Sequence, residues 1–190
     1  AGALAGYLIS FMKTPIYEAT ASVSTNLELV QDANITEVMV DAEMDHVSEL
    51  AYHTEVVDTV LGLSSVQFAG SASEFKQMTS VEREMMTTHL KVRHTEAEVA
   101  ARVASAWAES FYNRLQAAYP YALRVSEAKA MLVAIDDCAH DPVKGVLPFC
   151  VSLTPEQAQI LTEEADQVIL KDSAATLGLT QAINISQWQP

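Results

Sequence analysis

The first regular pattern in the chain is an alternation of apolar and polar positions that begins after Pro15. The apolar face carries Tyr17, Ala19, Ala21, Val23, Leu27 and Leu29. A period of two predicts a long, half-buried β-strand, because successive side chains of a strand point to opposite faces. We therefore expect Tyr17, Ala19 and Ala21 to face the helices and Glu18 to face away from the core.

Apolar residues at helical spacing then predict a helix over residues 41–61, with Gly62 as its C-terminal stop, and a short helix over 73–78. A second alternating stretch, residues 86–93, predicts another strand. It runs directly into Thr95 and Glu98, which have the spacing of a capping box. The helix behind this cap should reach at least Leu115. Its apolar face consists of Val99, Val103, Trp107, Phe111 and Leu115.

The second half of the chain gives a weaker pattern. We expect a helix from Ser126 onward, a loop over 136–145 and a short strand over 146–153. A capped helix should follow from Thr154, and a closing strand should cover 179–188. This order predicts an α+β fold with a mixed β-sheet of about four strands packed against helices. The first and last strands should be adjacent.

Residues 1–12 are uncharged, and Lys13 carries the first charge. Twelve residues are too few to cross a hydrocarbon core, which takes about 20 in a helix. We expect them to form the outer end of a truncated transmembrane helix. A buried soluble helix and a signal-peptide remnant are the alternatives. Residues 13–190 should then form a single extracytoplasmic domain.

Charge narrows the choice of partners. The chain has 11 Lys and Arg residues against 25 Asp and Glu residues, which gives a net charge of −14. This balance argues against nucleic acid as a partner, because phosphate binding depends on neutralisation by cationic side chains. With 49% apolar residues, the chain has the composition of a globular protein.

No motif in the sequence indicates catalysis. Asp136, Asp137, His140 and Asp141 form an acidic cluster, but their spacing matches no familiar metal site, so we interpret it as a solvated loop. A small basic patch of His89, Lys91 and Arg93 is suited to a carboxylate or a sugar, although polar strand faces are common. The sequence thus predicts no catalytic, cofactor-binding or metal-binding residues and no enzymatic activity.

Two cysteines, Cys138 and Cys150, enclose a segment with two prolines and a glycine. Such a segment folds back easily, and we expect a disulfide in an oxidising compartment. Two buried thiols in a reducing compartment are the alternative.

Two stretches resemble the chain-length determinant family, the Wzz-type polysaccharide co-polymerases of bacterial envelopes. Pro15, Tyr17, Ala19 and Ala21 look like the opening strand of that family. A strand that passes directly into an alanine-rich helix is its other marker. There, residues 104–108 are similar to the A-N-x-W-A stretch, with Ala104 and Trp107 matched and Ser105 in place of the usual asparagine. The resemblance covers residues 1 to about 115.

The resemblance implies a non-enzymatic homo-oligomer at the inner or plasma membrane, with its domain facing the periplasm or the cell exterior. It would regulate the chain length or export of lipopolysaccharide or exopolysaccharide. A polymerase, export machinery or a tyrosine autokinase would be its partners. Many members have a very long second helix, which we expect Pro120 and the cysteine-bounded loop to interrupt here. The alternative function is an extracytoplasmic sensor or ligand-binding domain of a membrane receptor.

Overall fold

The computed structural model describes residues 14–27, 37–66, 68, 70–141, 143–179 and 183–189. Contacts within the chain divide it into two compact units. The first unit comprises the described residues up to Thr25, Val47–Asn113, and the described residues from Ser186. The second comprises the described residues between Asn26 and His46 and between Arg114 and Ile185. The single domain expected over residues 13–190 stays a prediction.

The sheet has the strand order β2-β3-β1-β4. Its strands are β1 (Tyr17–Leu27), β2 (Thr79–Glu84), β3 (Thr87–His94) and β4 (Ile183–Gln189). β1 and β2 both pair with β3 in antiparallel register, and Ala21 and Val81 lie opposite Leu90 from its two sides. Met85, at the turn between β2 and β3, has a φ of 52°, in the left-handed region that a tight hairpin turn requires.

The expected α+β fold, a mixed sheet of about four strands packed against helices, is wrong in its class and in its mixed pairing. The protein is mostly helical and has a small sheet, in which the registered pairs of β1, β2 and β3 are all antiparallel. The sequence analysis missed β2, because Thr79–Glu84 contains a single apolar residue, Val81. Antiparallel neighbours need only a tight turn, whereas a parallel pair needs a long crossover, so the β2–β3 hairpin forms locally.

Burial along β1 alternates as a half-buried strand requires. Ala21 and Val23 are buried, Ser22 and Ser24 are half-buried, and Glu18 is exposed. The predicted inward face is therefore confirmed in the middle of the strand. The prediction is wrong for Tyr17, which is 45% exposed at the start of the strand, and Ala19 is half-buried.

Three short helices precede the β2–β3 hairpin, and they differ from the expected single helix over 41–61. Helix α1 (Glu37–Glu49) continues into a 3-10 turn (Leu50–Tyr52), and α2 (Thr54–Gly62) follows. The extended backbone of His53 (φ −57°, ψ 139°) separates the turn from α2. Gly62 is the last residue of α2 and Leu63 caps it, one residue later than predicted, and α3 (Ala72–Met78) confirms the short helix predicted over 73–78.

The core of the first unit is built around Trp107, on helix α4 (Ala97–His140). Its Nε1–H donates a hydrogen bond to the Ala51 carbonyl at 2.8 Å. Its ring meets Phe75 edge-on, with 5.1 Å between ring centroids, and lies 5.3 Å from Tyr52. The five apolar residues predicted for one face of this helix are all buried, which confirms that face.

Helix α4 is one helix of 44 residues that runs through Pro120 and ends at His140. The expected break near Pro120 and the loop from residue 136 are therefore wrong. A proline inside a helix removes one backbone hydrogen bond but does not always end the helix. In the second unit, buried residues at helical spacing flank Pro120, with Ala118 before it and Ala122, Val125 and Ala128 after it. Their packing holds the chain in helical form beyond the proline.

The second unit also contains two helices after α4. Helix α5 (Pro148–Ser152) replaces the strand expected over 146–153, because Pro148 occupies the first turn, where a proline favours a helix. Helix α6 (Pro155–Asp172) begins with the predicted cap. Thr154 accepts a hydrogen bond from Gln157 N at 3.2 Å, and the Gln157 side chain accepts one from Thr154 N at 3.0 Å.

Among the helices that the structure describes, none is both long enough and apolar enough to cross a membrane. The membrane anchor expected in residues 1–12 lies outside the described residues.

Candidate functional site

The six residues that carry the family resemblance fall in the first unit, and three of them form part of its core. Ala21, Ala104 and Trp107 are buried, whereas Pro15 and Tyr17 are exposed at the start of β1. Strand β3 pairs with β1 and leads into α4 after two residues. The structure thus places both motif stretches in the same packed unit, where they hold the backbone of β1, β3 and α4 in position.

The outer face of the sheet carries the predicted basic patch. Each of its three side chains contacts a carboxylate. Arg93 Nε donates to Glu18 at 2.7 Å, Lys91 donates to Glu82, and His89 Nε2 lies 3.5 Å from Glu84. The hydrogen bond from Lys91 lowers the pKa of Glu82. Since acidic partners neutralise the patch, it offers little net positive charge to an acidic ligand.

Ser22, His89 and Glu84 on this face have the residue types of a hydrolytic triad. Ser22 Oγ lies 2.8 Å from His89 Nδ1, because the two residues are directly opposite in the β1–β3 register. A triad also needs an acid that fixes the imidazole. Glu84 is 81% exposed and 3.5 Å away, so water competes for its carboxylate. We therefore interpret these contacts as cross-strand pairing.

The acidic side chains near residue 140 contact neighbouring residues of the same segment. Asp136 lies 3.0 Å from His140, and Asp137 pairs with Lys144 at 2.8 Å. Asp141 accepts hydrogen bonds from Val143 N and Lys144 N, and these lower the pKa of Asp141. Within the described residues, no group of three or more His, Cys, Asp or Glu side chains is placed to hold a metal ion.

Cys138 and Cys150 are bonded to each other, with 5.1 Å between their Cα atoms. Cys138 lies in the last turns of α4 and Cys150 in the middle of α5, so the bond ties α5 to the end of α4. Loop closure of this kind reduces the entropy of the unfolded chain. The short α5 thereby gains an anchor that its five residues alone would not provide.

The chain around this disulfide, residues 143–151, exposes an unusual number of apolar side chains, and we call it the disulfide segment. Its exposed apolar residues are Val143, Val146, Leu147, Phe149 and Val151. Beside it, Phe149, Leu153, Ile160 and Leu161 line an open groove of about 450 Å³. Clustered exposed apolar residues often mark contact surfaces. The sequence analysis missed this surface, because the alternation over 146–153 looked like a half-buried strand.

No protein-family model matches the chain, and no curated protein matches it.

Proposed function

We propose that the protein is a non-catalytic, homo-oligomeric co-polymerase that regulates the chain length or export of a bacterial envelope polysaccharide. The observation that supports this proposal best is the joint packing of the two motif stretches. Strand β1 lies beside β3, β3 passes into α4 after two residues, and the Ala104 and Trp107 turn of α4 is buried. The resemblance rests on these same stretches.

The length of α4 adds support. A very long second helix is a trait of many members of the family that the sequence resembles. Pro120 and the cysteine-bounded loop were expected to interrupt such a helix, but α4 runs through Pro120 and is 44 residues long. The structure therefore removes one of the departures from that resemblance.

In this proposal the protein is held at the cell membrane and faces the periplasm or the cell exterior. The Cys138–Cys150 bond supports an oxidising compartment, since disulfides are rare in reducing ones. The net charge of −14 makes free subunits repel one another. A membrane anchor would hold subunits at high effective concentration, so that weak lateral contacts suffice to close an oligomer.

The test compares the membrane-anchored protein with the 190-residue chain. In mild detergent, the anchored protein should run as a discrete homo-oligomer. The separate chain should be mostly monomeric at low salt and should associate more as salt screens its charge, which analytical ultracentrifugation measures directly. An anchored protein that runs as a monomer would contradict the proposal and would favour the sensor alternative.

A further inference from the structure

The first unit contains a polar pocket that the proposed function leaves unused. It opens between the end of β3 and the first turns of α3 and α4, and its volume is about 390 Å³. Its lining includes Phe68, Glu74, His94, Glu96, Val99 and Arg102. The pocket is open to solvent and combines an aromatic ring with polar side chains from α3, β3 and α4.

The aromatic wall of this pocket is fixed in place. The Phe68 ring lies so close to Gly70 that a methyl group at Gly70 would stand 2.3 Å from Phe68 Cζ. The ring also meets the fully buried Phe75 ring edge-on, with 6.4 Å between centroids. Glycine at position 70 thus allows the ring to occupy this position, and the Phe75 contact supports it.

The polar groups are also oriented by neighbours. Glu74 accepts hydrogen bonds from Ser71 N at 2.7 Å and Ser71 Oγ at 2.9 Å, which lower the pKa of Glu74 and keep it ionised. His94 Nδ1 accepts a hydrogen bond from Glu96 N at 3.0 Å. A neutral His94 ring therefore carries its proton on Nε2, which makes that atom a donor. Both groups are arranged before any ligand arrives.

Charge defines the class of ligand. Two carboxylates, Glu74 and Glu96, line the pocket, whereas Arg102 already lies 3.5 Å from Glu98. The local charge is therefore negative, which disfavours uronic acids and phosphates. Hydroxyl groups donate well to carboxylates and accept from His94 Nε2–H, and the apolar face of a sugar ring stacks on an aromatic ring such as Phe68.

We propose that this pocket binds one neutral pyranose unit of a saccharide. The proposal deepens the proposed function, on which the choice of a saccharide partly rests. The pocket would give the co-polymerase a direct contact with the neutral sugars of its polymer, in addition to any contact with the polymerase.

The test is an NMR titration of the protein with three neutral hexasaccharides, of glucose, mannose and galactose, and with hexagalacturonate as the acidic counterpart. At least one neutral hexasaccharide should move the ring signals of Phe68 and His94, and hexagalacturonate should move neither. Phe68→Ala should weaken binding about tenfold through the lost stacking. Gly70→Ala should act similarly by displacing the ring. Tyr121→Ala is the matched control, since it removes an exposed aromatic ring of the second unit and should leave binding unchanged.

Several results would overturn the proposal. One is the absence of any shift up to the solubility limit of all three neutral hexasaccharides. Equal binding of hexagalacturonate is another, and a third is binding that remains as strong in Phe68→Ala as in the wild type. The Trp107 indole signal checks that the Phe68 and Gly70 variants remain folded, because this residue lies in the core of the same unit.

Failure of the pocket and failure of the proposed function are distinguishable. If the hexasaccharides do not bind but the anchored protein is a homo-oligomer that changes polymer length, the pocket proposal is wrong and the function stands. If sugars bind but polymer length does not depend on the protein, the co-polymerase function is wrong. The pocket would then belong to a sugar-binding sensor.

Discussion

At the scale of single residues, Trp107 does more than fill space in the first unit. It is fully buried, its rings contact Phe75 and Tyr52, and its indole N–H donates to the Ala51 carbonyl. The hydrogen bond joins α4 to the 3-10 turn that precedes α2. Trp107 and Ala51 are 56 residues apart in the sequence, so this one side chain connects two distant elements.

We predict that Trp107→Phe lowers the free energy of unfolding by about 1–3 kcal/mol, because it keeps an aromatic ring but leaves the Ala51 carbonyl unpaired in the core. Urea unfolding followed by circular dichroism measures the change. Val133→Ala, at an exposed position of the same helix, is the control and should change it by less than about 0.5 kcal/mol. Equal effects of the two substitutions would refute the role of this hydrogen bond.

A second residue-scale prediction concerns the capping box at α3. Hydrogen bonds from Ser71 lower the pKa of Glu74 in the folded protein. A lowered pKa means that the ionised Glu74 stabilises the fold above its unfolded pKa, near 4.5, and that this stabilisation disappears as the pH falls through the folded pKa. The difference in unfolding free energy between wild type and Glu74→Gln should therefore shrink from pH 7 to pH 3. In a Ser71→Ala background this pH dependence should be weaker, and an unchanged dependence would contradict the assignment.

At the scale of elements, helix α4 carries a proline whose removal should stabilise it. Pro120→Ala restores a backbone N–H to the helix, where an interior proline costs about 3 kcal/mol. Loss of the proline also raises the conformational entropy of the unfolded chain, which lowers the free energy of unfolding by up to about 1 kcal/mol. We therefore expect urea unfolding to give the variant a free energy of unfolding about 1–2 kcal/mol higher than that of the wild type. Lower stability would show that the proline is needed for the path of the helix.

The disulfide gives a second prediction at this scale. Reduction of the Cys138–Cys150 bond should lower the free energy of unfolding by up to about 3 kcal/mol, because the unfolded chain is then no longer constrained by the closed loop. Amide hydrogen exchange should show the loss of protection in α5 and the last turns of α4, while the amides of β3 keep theirs. Mass spectrometry of alkylated, unreduced protein should find no free thiol, and the double variant Cys138→Ser, Cys150→Ser should not respond to reductant. Two alkylated cysteines in protein from an oxidising compartment would refute the bond.

The sequence alone predicts the elements whose burial is periodic. The middle of β1, the buried face of α4 up to Leu115 and the cap of α6 follow from alternation, helical spacing and capping residues. It does not predict β2, whose polar sequence becomes a strand only because β3 supplies a partner. Nor does it predict α4 beyond Pro120, where packing outweighs the cost of a proline.

The candidate sites were harder to predict from the sequence than the fold was. The pocket lined by Phe68 and His94 depends on the approach of a ring to Gly70, and no spacing in the sequence indicates that approach. The basic patch was predicted, but its neutralisation by Glu82 depends on β2, which the sequence analysis missed. Pairings between distant elements decide both features.

At the scale of the whole molecule, the chain contains two compact units and carries a net charge of −14. One unit holds the motif stretches and the pocket lined by Phe68 and His94, and the other holds the disulfide segment with its exposed apolar residues. This division agrees with the proposed contacts of the protein with copies of itself and with a polymer.

The central claim is that the protein sets the length of a polysaccharide. The most direct measurement is the size distribution, on gels, of envelope polysaccharide from cells that contain or lack the intact protein. We predict a narrow modal length with the protein and a broad or shifted distribution without it, restored when the protein is supplied again. Identical distributions for every envelope polysaccharide in the two kinds of cell would contradict the account.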